Sequence, residues 1–218
     1  MPFDVVTRNI ELLASGVALT IGISIASILA GFVIGLLTAI ARLSALPPVR
    51  AIAAVYVELI RNTPVLVQLL LLYLGLPEFG VRLSPLEAIV ITLIVNNGAY
   101  LGEIIRGGLQ SVARGQLEAA AAIGLGRQAT FVEVLLPQAL RSTFPAITNQ
   151  FILTILATSI GSIIGTPELT QQVLFVDSRT FRTIELLIFL TAAYAALTFA
   201  IARLSQLVVR RLERAYLR

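Results

Sequence analysis

The chain has 218 residues, 57% hydrophobic and only 13% charged, with a mean hydropathy of +0.93. A water-soluble domain carries about 25% charged residues, so an ordinary soluble globule is excluded and an integral membrane protein is indicated. All 16 basic residues are arginine and there is no His, Cys or Trp. These absences remove P-loop, Schiff-base, Ser-His, thiolate and the usual metal and haem chemistries, so no cofactor and no metal are expected. The net charge of +4 resides in arginines that bracket apolar segments, which fits membrane orientation better than nucleic-acid binding.

A helix crosses the ~30 Å hydrocarbon core in about 20 residues. Residues 1–14 contain Asp4, Arg8 and Glu11 ahead of a long apolar run, a poor match to a signal peptide. The first span runs from about Leu12 to Ala41 and carries a Gly31/Gly35 pair. The second, about Ala51 to Leu76, contains Glu58 and Arg61 at i, i+3, then Thr63-Pro64 and Gln68. Glu58 and Arg61 can pair on one helix face, and Pro64 bends the span by deleting a backbone donor. The pair and bend read either as a hinge lining a path or as an ion pair that fixes packing. After a short outer loop, the third span runs from about Pro85 to Leu109 and holds Gly98/Gly102. Its adjacent Asn96 and Asn97 lie about 100° apart on the helix and need partners in lipid. Pore lining and interhelical hydrogen bonding both satisfy that need. Glu103 and Arg106 repeat the i, i+3 pairing near the end.

The longest loop, about 110–141, is the least loop-like in composition. Glu118 to Ile123 contains four consecutive alanines and favours helix, with Gly124 and Gly126 ending or bending it. A second amphipathic stretch around Phe131 to Leu136 reaches Pro137, which is expected to break or kink it before the fourth span. That span, about Ser142 to Ile164, carries Thr154, Thr158, Ser159 and Gly161/Gly165. A longer outer loop leads to the fifth span, about Ile184 to Val209. The small-xxx-small pairs suit close helix contact, within one subunit or between two. No repeat or linker divides the chain, so one domain over 1–218 is expected. Placing the C-terminus in the cytoplasm puts 12 arginines at that face and 4 (Arg8, Arg82, Arg179 and Arg182) outside. The positive-inside rule selects that orientation, with the N-terminus outside.

The long loop also carries a spaced motif. Glu118-Ala119-Ala120, three residues, Gly124, nine residues, then Val134-Leu135-Leu136-Pro137 resembles the EAA loop of ABC-transporter permease subunits, E-A-A-x3-G-x9-I-x-L-P, departing only in Val134 for Ile. The strings VELIRNTPVLVQLLLLYLGLP, NNGAYLGEIIRGG, IGTPELTQQ, TFRTIELL and RRLERAYLR extend the resemblance over nearly the whole chain, to the polar amino acid uptake branch (histidine/glutamine type). The resemblance implies an all-α permease of the type I importer fold with five spans and a cytoplasmic coupling helix. It also implies the partners: a second permease subunit, same or homologous, two ATP-binding cassette subunits and an external amino acid-binding protein, assembled in the bacterial inner membrane. Glu118, Ala119, Ala120 and Gly124 would then dock on the ATPase, with Pro137 closing the motif.

Such a subunit is not an enzyme, because a partner hydrolyses the ATP. Glu58, Arg61, Thr63, Pro64, Gln68, Asn96, Asn97, Glu103, Thr158 and Ser159 are candidates for the translocation path. Leu156-Ala157 stands where related permeases carry a Lys and an Asp or Asn before the Thr/Ser pair, which argues against a charged site in this span. An ion-coupled secondary transporter is the alternative, disfavoured by five spans and the lack of an inverted repeat. A non-transporting scaffold whose alanine-rich loop recruits a cytoplasmic protein is a third reading.

Overall fold

The computed structural model describes residues 4–216, with side chains as far as residue 207. Arg210, Arg211, Arg214 and Arg218, counted in the orientation argument, and the terminal RRLERAYLR string lie outside the described side chains. The described chain is helical throughout: α1 (Asp4–Arg8), α2 (Ile10–Arg42), α3 (Pro47–Arg61), α4 (Val65–Phe79), α5 (Pro85–Gln110), α6 (Arg114–Ala122), α7 (Arg127–Ile164), α8 (Leu169–Thr180) and α9 (Thr183–Tyr216). Helices α2, α5, α7 and α9 are each long and apolar enough to cross a membrane, while α3 and α4 qualify only as a bent pair.

The distribution of side chains on α2 identifies its solvent. The buried stripe is mostly small or polar: Gly16, Thr20, Ser24, Ser27, Gly31, Gly35, Thr38 and Ala39, with Leu13 and Ile23 as its large members. The opposite face exposes Ile25, Leu29, Phe32, Val33, Leu36, Leu37 and Ile40. This is the inverse of a water-soluble helix, and it is stable only where the surroundings are hydrocarbon. The small stripe lets α2 lie directly on α5. A methyl added to Gly35 would sit 2.7 Å from Leu101 Cβ, and one added to Gly98 would sit 2.4 Å from Ile34 Cγ2. The Gly31/Gly35 and Gly98/Gly102 pairs therefore serve one helix interface inside the subunit. The pair expected at Gly161/Gly165 splits: Gly161 abuts Ile89 and Thr166, whereas Gly165 lies in the turn that ends α7.

Two glycines of α5 give a stability test. Gly102→Ala places its methyl 2.7 Å from Thr38 Cγ2 and 3.2 Å from the Gly35 carbonyl oxygen, while at Gly107 no described atom outside the local helix backbone lies within 4 Å. Overpacking costs about 1–3 kcal/mol, and glycine replaced by alanine in an open helix position gains up to about 1 kcal/mol. Gly102→Ala should lower the melting temperature of the detergent-solubilised protein, and Gly107→Ala should leave it level or raise it. Equal melting of the two variants would contradict the close α2–α5 contact.

The second span is broken rather than kinked. Helices α3 and α4 meet at 104° across Asn62-Thr63-Pro64. Pro64 has no N–H and drives the preceding residue away from the helical region, so α3 stops at Arg61 with carbonyls unpaired. Gln68 closes the gap: its Nε2 donates to the Ile60 carbonyl (2.8 Å), the Thr63 carbonyl (3.1 Å) and Thr63 Oγ1 (2.9 Å).

Pro137 does not break the helix. Helix α7 continues through it from Arg127 to Ile164, so the second amphipathic stretch of the loop is the first part of the spanning helix. The turn before the proline, Thr130–Leu135, widens to π-helical geometry, which accommodates the missing donor. Gln138 Nε2 donates to the Val134 carbonyl at 3.0 Å and recovers an acceptor there.

At the opposite end from α6, α8 packs its Leu169, Val173 and Val176 with Val5, Leu13 and Leu186. Glu168 is fully buried and caps α8, accepting from the backbone N–H groups of Thr170 (3.0 Å) and Gln171 (2.9 Å) and from the Tyr194 hydroxyl (2.9 Å). Burial pushes its carboxyl above the ordinary range, and those donors pull against the shift. The Leu169 N–H donates to Thr20 Oγ1 at 3.1 Å, so one turn ties α8 to α2 and α9.

Candidate functional site

A cavity of about 470 Å³ opens at the α3–α4 break. Its wall takes Arg61, Asn62, Thr63, Pro64 and Val65 from the break, Leu93, Asn96, Asn97 and Tyr100 from α5, and Gln150, Leu153, Thr154 and Ala157 from α7. Pro64 produces the site: without the break, the Arg61–Val65 segment would be continuous helix. The two asparagines divide the work. Asn97 is 1% exposed and wholly engaged. Its Oδ1 accepts from Gln150 Nε2 (2.9 Å) and Thr154 Oγ1 (2.7 Å), and its Nδ2 donates to the Ser27 carbonyl (3.4 Å). It thus links α5 to α7 and α2. Asn96 is only partly buried and makes one long bond, from its Nδ2 to Gln68 Oε1 at 3.3 Å. Its Oδ1 has no partner among the described residues.

A second cavity of about 300 Å³ lies next to the first and is lined by Arg42, Val57, Glu58, Arg61, Asn62, Tyr100 and Glu103. Arg61, Asn62 and Tyr100 border both. The pairing expected between Glu58 and Arg61 does not occur: among the described residues no ion pair joins them, and the Arg61 guanidinium lies 5.3 Å from the centroid of the Tyr100 ring. The break ends α3 at Arg61 and turns that side chain toward α5, where a cation–π contact replaces the i, i+3 pair. The Glu103–Arg106 pair does form, with Arg106 Nε donating to Oε2 at 2.9 Å, and Arg42 Nη2 approaches the same oxygen at 3.6 Å.

The EAA segment forms α6 and its C-terminal turn. Glu118 and Ala119 are exposed, while Ala120 is 3% exposed and α6 rests on the π-helical turn of α7. Gly124 has φ +81°. Its N–H donates to the Ala121 carbonyl and the Leu125 N–H to the Ala120 carbonyl, both at 3.0 Å. This double closure needs a left-handed residue. Among the described residues none beyond the chain neighbours lies within 4 Å of the position a Cβ would take at Gly124, so α6 and Gly124 present an open surface there. Pro137 is buried in α7.

The chain as a whole has counterparts among known proteins. The family profile described as "Binding-protein-dependent transport system inner membrane component" matches residues 12–217. The chain belongs to that family. It is therefore a membrane-embedded permease component. The L-cystine transport system permease protein TcyB of Bacillus subtilis (strain 168) is 38% identical over 217 residues, covering 98% of this chain and 92% of that one. The glutamine transport system permease protein GlnP of Escherichia coli (strain K12) is 38% identical over 218 residues, covering 98% of each. A chain of a solved amino acid ABC transporter with histidines superposes with a TM-score of 0.90 at 36% identity, covering 97% of this chain and 99% of that one.

Of the path candidates, the permease brings Arg61, Thr63, Pro64, Asn96 and Asn97 to the first cavity. Gln68 stands behind it as the clasp of the break. Glu58 and Glu103 line the second cavity instead. Thr158 is fully buried and bonds the Ile155 carbonyl, and Ser159 bonds the Leu156 carbonyl; neither lines either cavity. Sequence reasoning missed Asn62, Tyr100, Gln150 and Leu153. A lone amide such as Gln150 in an apolar span is itself a signal, since it needs a partner there.

Proposed function

We propose that this permease carries amino acids as half of the translocation path of a binding-protein-dependent ABC importer in the bacterial inner membrane. The observation that carries the reading is the amide-lined cavity at the α3–α4 break, in a chain whose relatives are named for L-cystine and glutamine transport. A second permease subunit, identical or homologous, supplies the other half. Two ATP-binding cassette subunits receive α6 and Gly124, and an external binding protein delivers the amino acid. ATP hydrolysis in the partners drives alternating exposure of the path.

ATP-dependent amino acid uptake into vesicles holding the assembled complex, with and without the binding protein, tests this. Uptake that needs both ATP and binding protein is expected. Uptake driven by an ion gradient alone, or no uptake, would overturn it.

The C-terminus is placed in the cytoplasm and the N-terminus outside, on the arginine asymmetry. In spheroplasts an N-terminal tag should be cut by added protease and a C-terminal tag should survive. The opposite pattern would reverse the orientation and move α6 away from the ATPases.

A further inference from the structure

The cavity at the break is charged by one residue. Among its lining side chains Arg61 is the only cation, and there is no carboxylate. The remaining polar groups are amides, hydroxyls and the Tyr100 phenol. The acids Glu58 and Glu103 line the neighbouring cavity, beyond Arg61 and Tyr100. There Glu103 is already met by Arg42 and Arg106.

Arg61 makes no ion pair among the described residues and rests on the Tyr100 ring at the wall between the cavities. No carboxylate among the described residues takes up its fork of donors at hydrogen-bond distance, and that fork matches a carboxylate. The groups available to an ammonium are neutral acceptors: Asn96 Oδ1 and Gln150 Oε1, neither of which has a partner among the described residues. They can hold one α-ammonium whose charge is balanced by the α-carboxylate on Arg61. A second positive charge, on the substrate side chain, would find no acid and would add to the charge of Arg61.

We propose that this cavity accepts amino acids with uncharged or anionic side chains and rejects those with cationic side chains, with Arg61 as the specificity-determining residue that holds the α-carboxylate. The inference rests on the reading of this cavity as the translocation path.

The test is direct binding to the solubilised permease–ATPase complex without the binding protein, which would impose its own selectivity. The probes are L-glutamine, L-cystine, L-glutamate, L-lysine and L-arginine. At least one of the first three should bind at least tenfold tighter than lysine and arginine. Arg61→Gln should weaken that binding at least tenfold. Leu153→Glu supplies the missing acid on a wall position that is 47% exposed, and it should bring arginine to within a few-fold of the preferred probe. Melting temperatures of both variants check folding, and the gain of arginine binding by Leu153→Glu does not depend on Arg61→Gln surviving. Arginine binding as tight as glutamine in the wild type, or unchanged binding in a folded Arg61→Gln, would overturn the specificity while leaving the path reading in place. No binding of any probe, together with no uptake by the complete system, would overturn both.

Discussion

Replacing Gly124 by aspartate will abolish uptake while leaving the permease in the membrane at its normal level. Gly124 closes α6 at φ +81°, a conformation that Asp and Asn tolerate better than other residues with a side chain. Their backbone cost is about 1–2 kcal/mol at most, and among the described residues none beyond the chain neighbours lies within 4 Å of the new Cβ. Any large effect of the aspartate must therefore come from what covers α6 in the assembled transporter. Co-purification of the ATPase and ATP-dependent uptake should be measured together, with Gly124→Asn as the uncharged control at the same φ. Loss of uptake in Gly124→Asp, with weakened co-purification and normal membrane levels, is expected. Wild-type uptake would remove α6 from the coupling surface.

The second large effect divides two neighbours in sequence. Asn97→Leu will strongly destabilise the permease, whereas Asn96→Leu will leave it folded and impair transport. Asn97 is buried and accepts two short hydrogen bonds from α7, so a leucine strands the Gln150 amide and leaves the Thr154 hydroxyl only the Gln150 carbonyl. Each buried group left unpaired costs about 1–3 kcal/mol. The leucine must also fit beside Gly31, where even an added methyl would lie 2.5 Å from Asn97 Cβ. Asn96 has a single 3.3 Å bond and faces the cavity, so its loss removes an acceptor from the cavity wall and little from the packing. Melting of the solubilised protein and uptake per inserted permease distinguish the two. Equal melting temperatures would refute the division.

The sequence by itself determined the parts that depend on composition and local pattern. Low charge and long apolar runs require a membrane environment whatever the packing, and the arginine asymmetry specifies an orientation to be tested. The alanines from 119 to 122 followed by Gly124 encode a helix and its left-handed closure, because both propensities act over a single turn. The same string, with its fixed spacing to Pro137, also carried the family resemblance. Proline alone was less informative. Pro64 and Pro137 each delete one donor, yet the first sits in a 104° break and the second in an unbroken helix.

Only the tertiary structure separates those outcomes. At Pro64 the freed carbonyls are met by Gln68 after the chain has turned; at Pro137 a π-helical turn and Gln138 let the helix continue. The same holds for charge and amide pairs. Helical spacing predicts Glu58–Arg61 as readily as Glu103–Arg106, but the break turns Arg61 onto Tyr100 and only the second pair forms. Asn96 and Asn97 are equivalent in sequence; their roles differ because α2 and α7 close over one face of α5 and the cavity opens on the next. Gln150 meets Asn97 across 53 residues, a contact that no local period encodes. Packing decides which polar groups are spent on one another and which remain for a substrate, since in hydrocarbon each must find a partner within the protein or line a polar cavity.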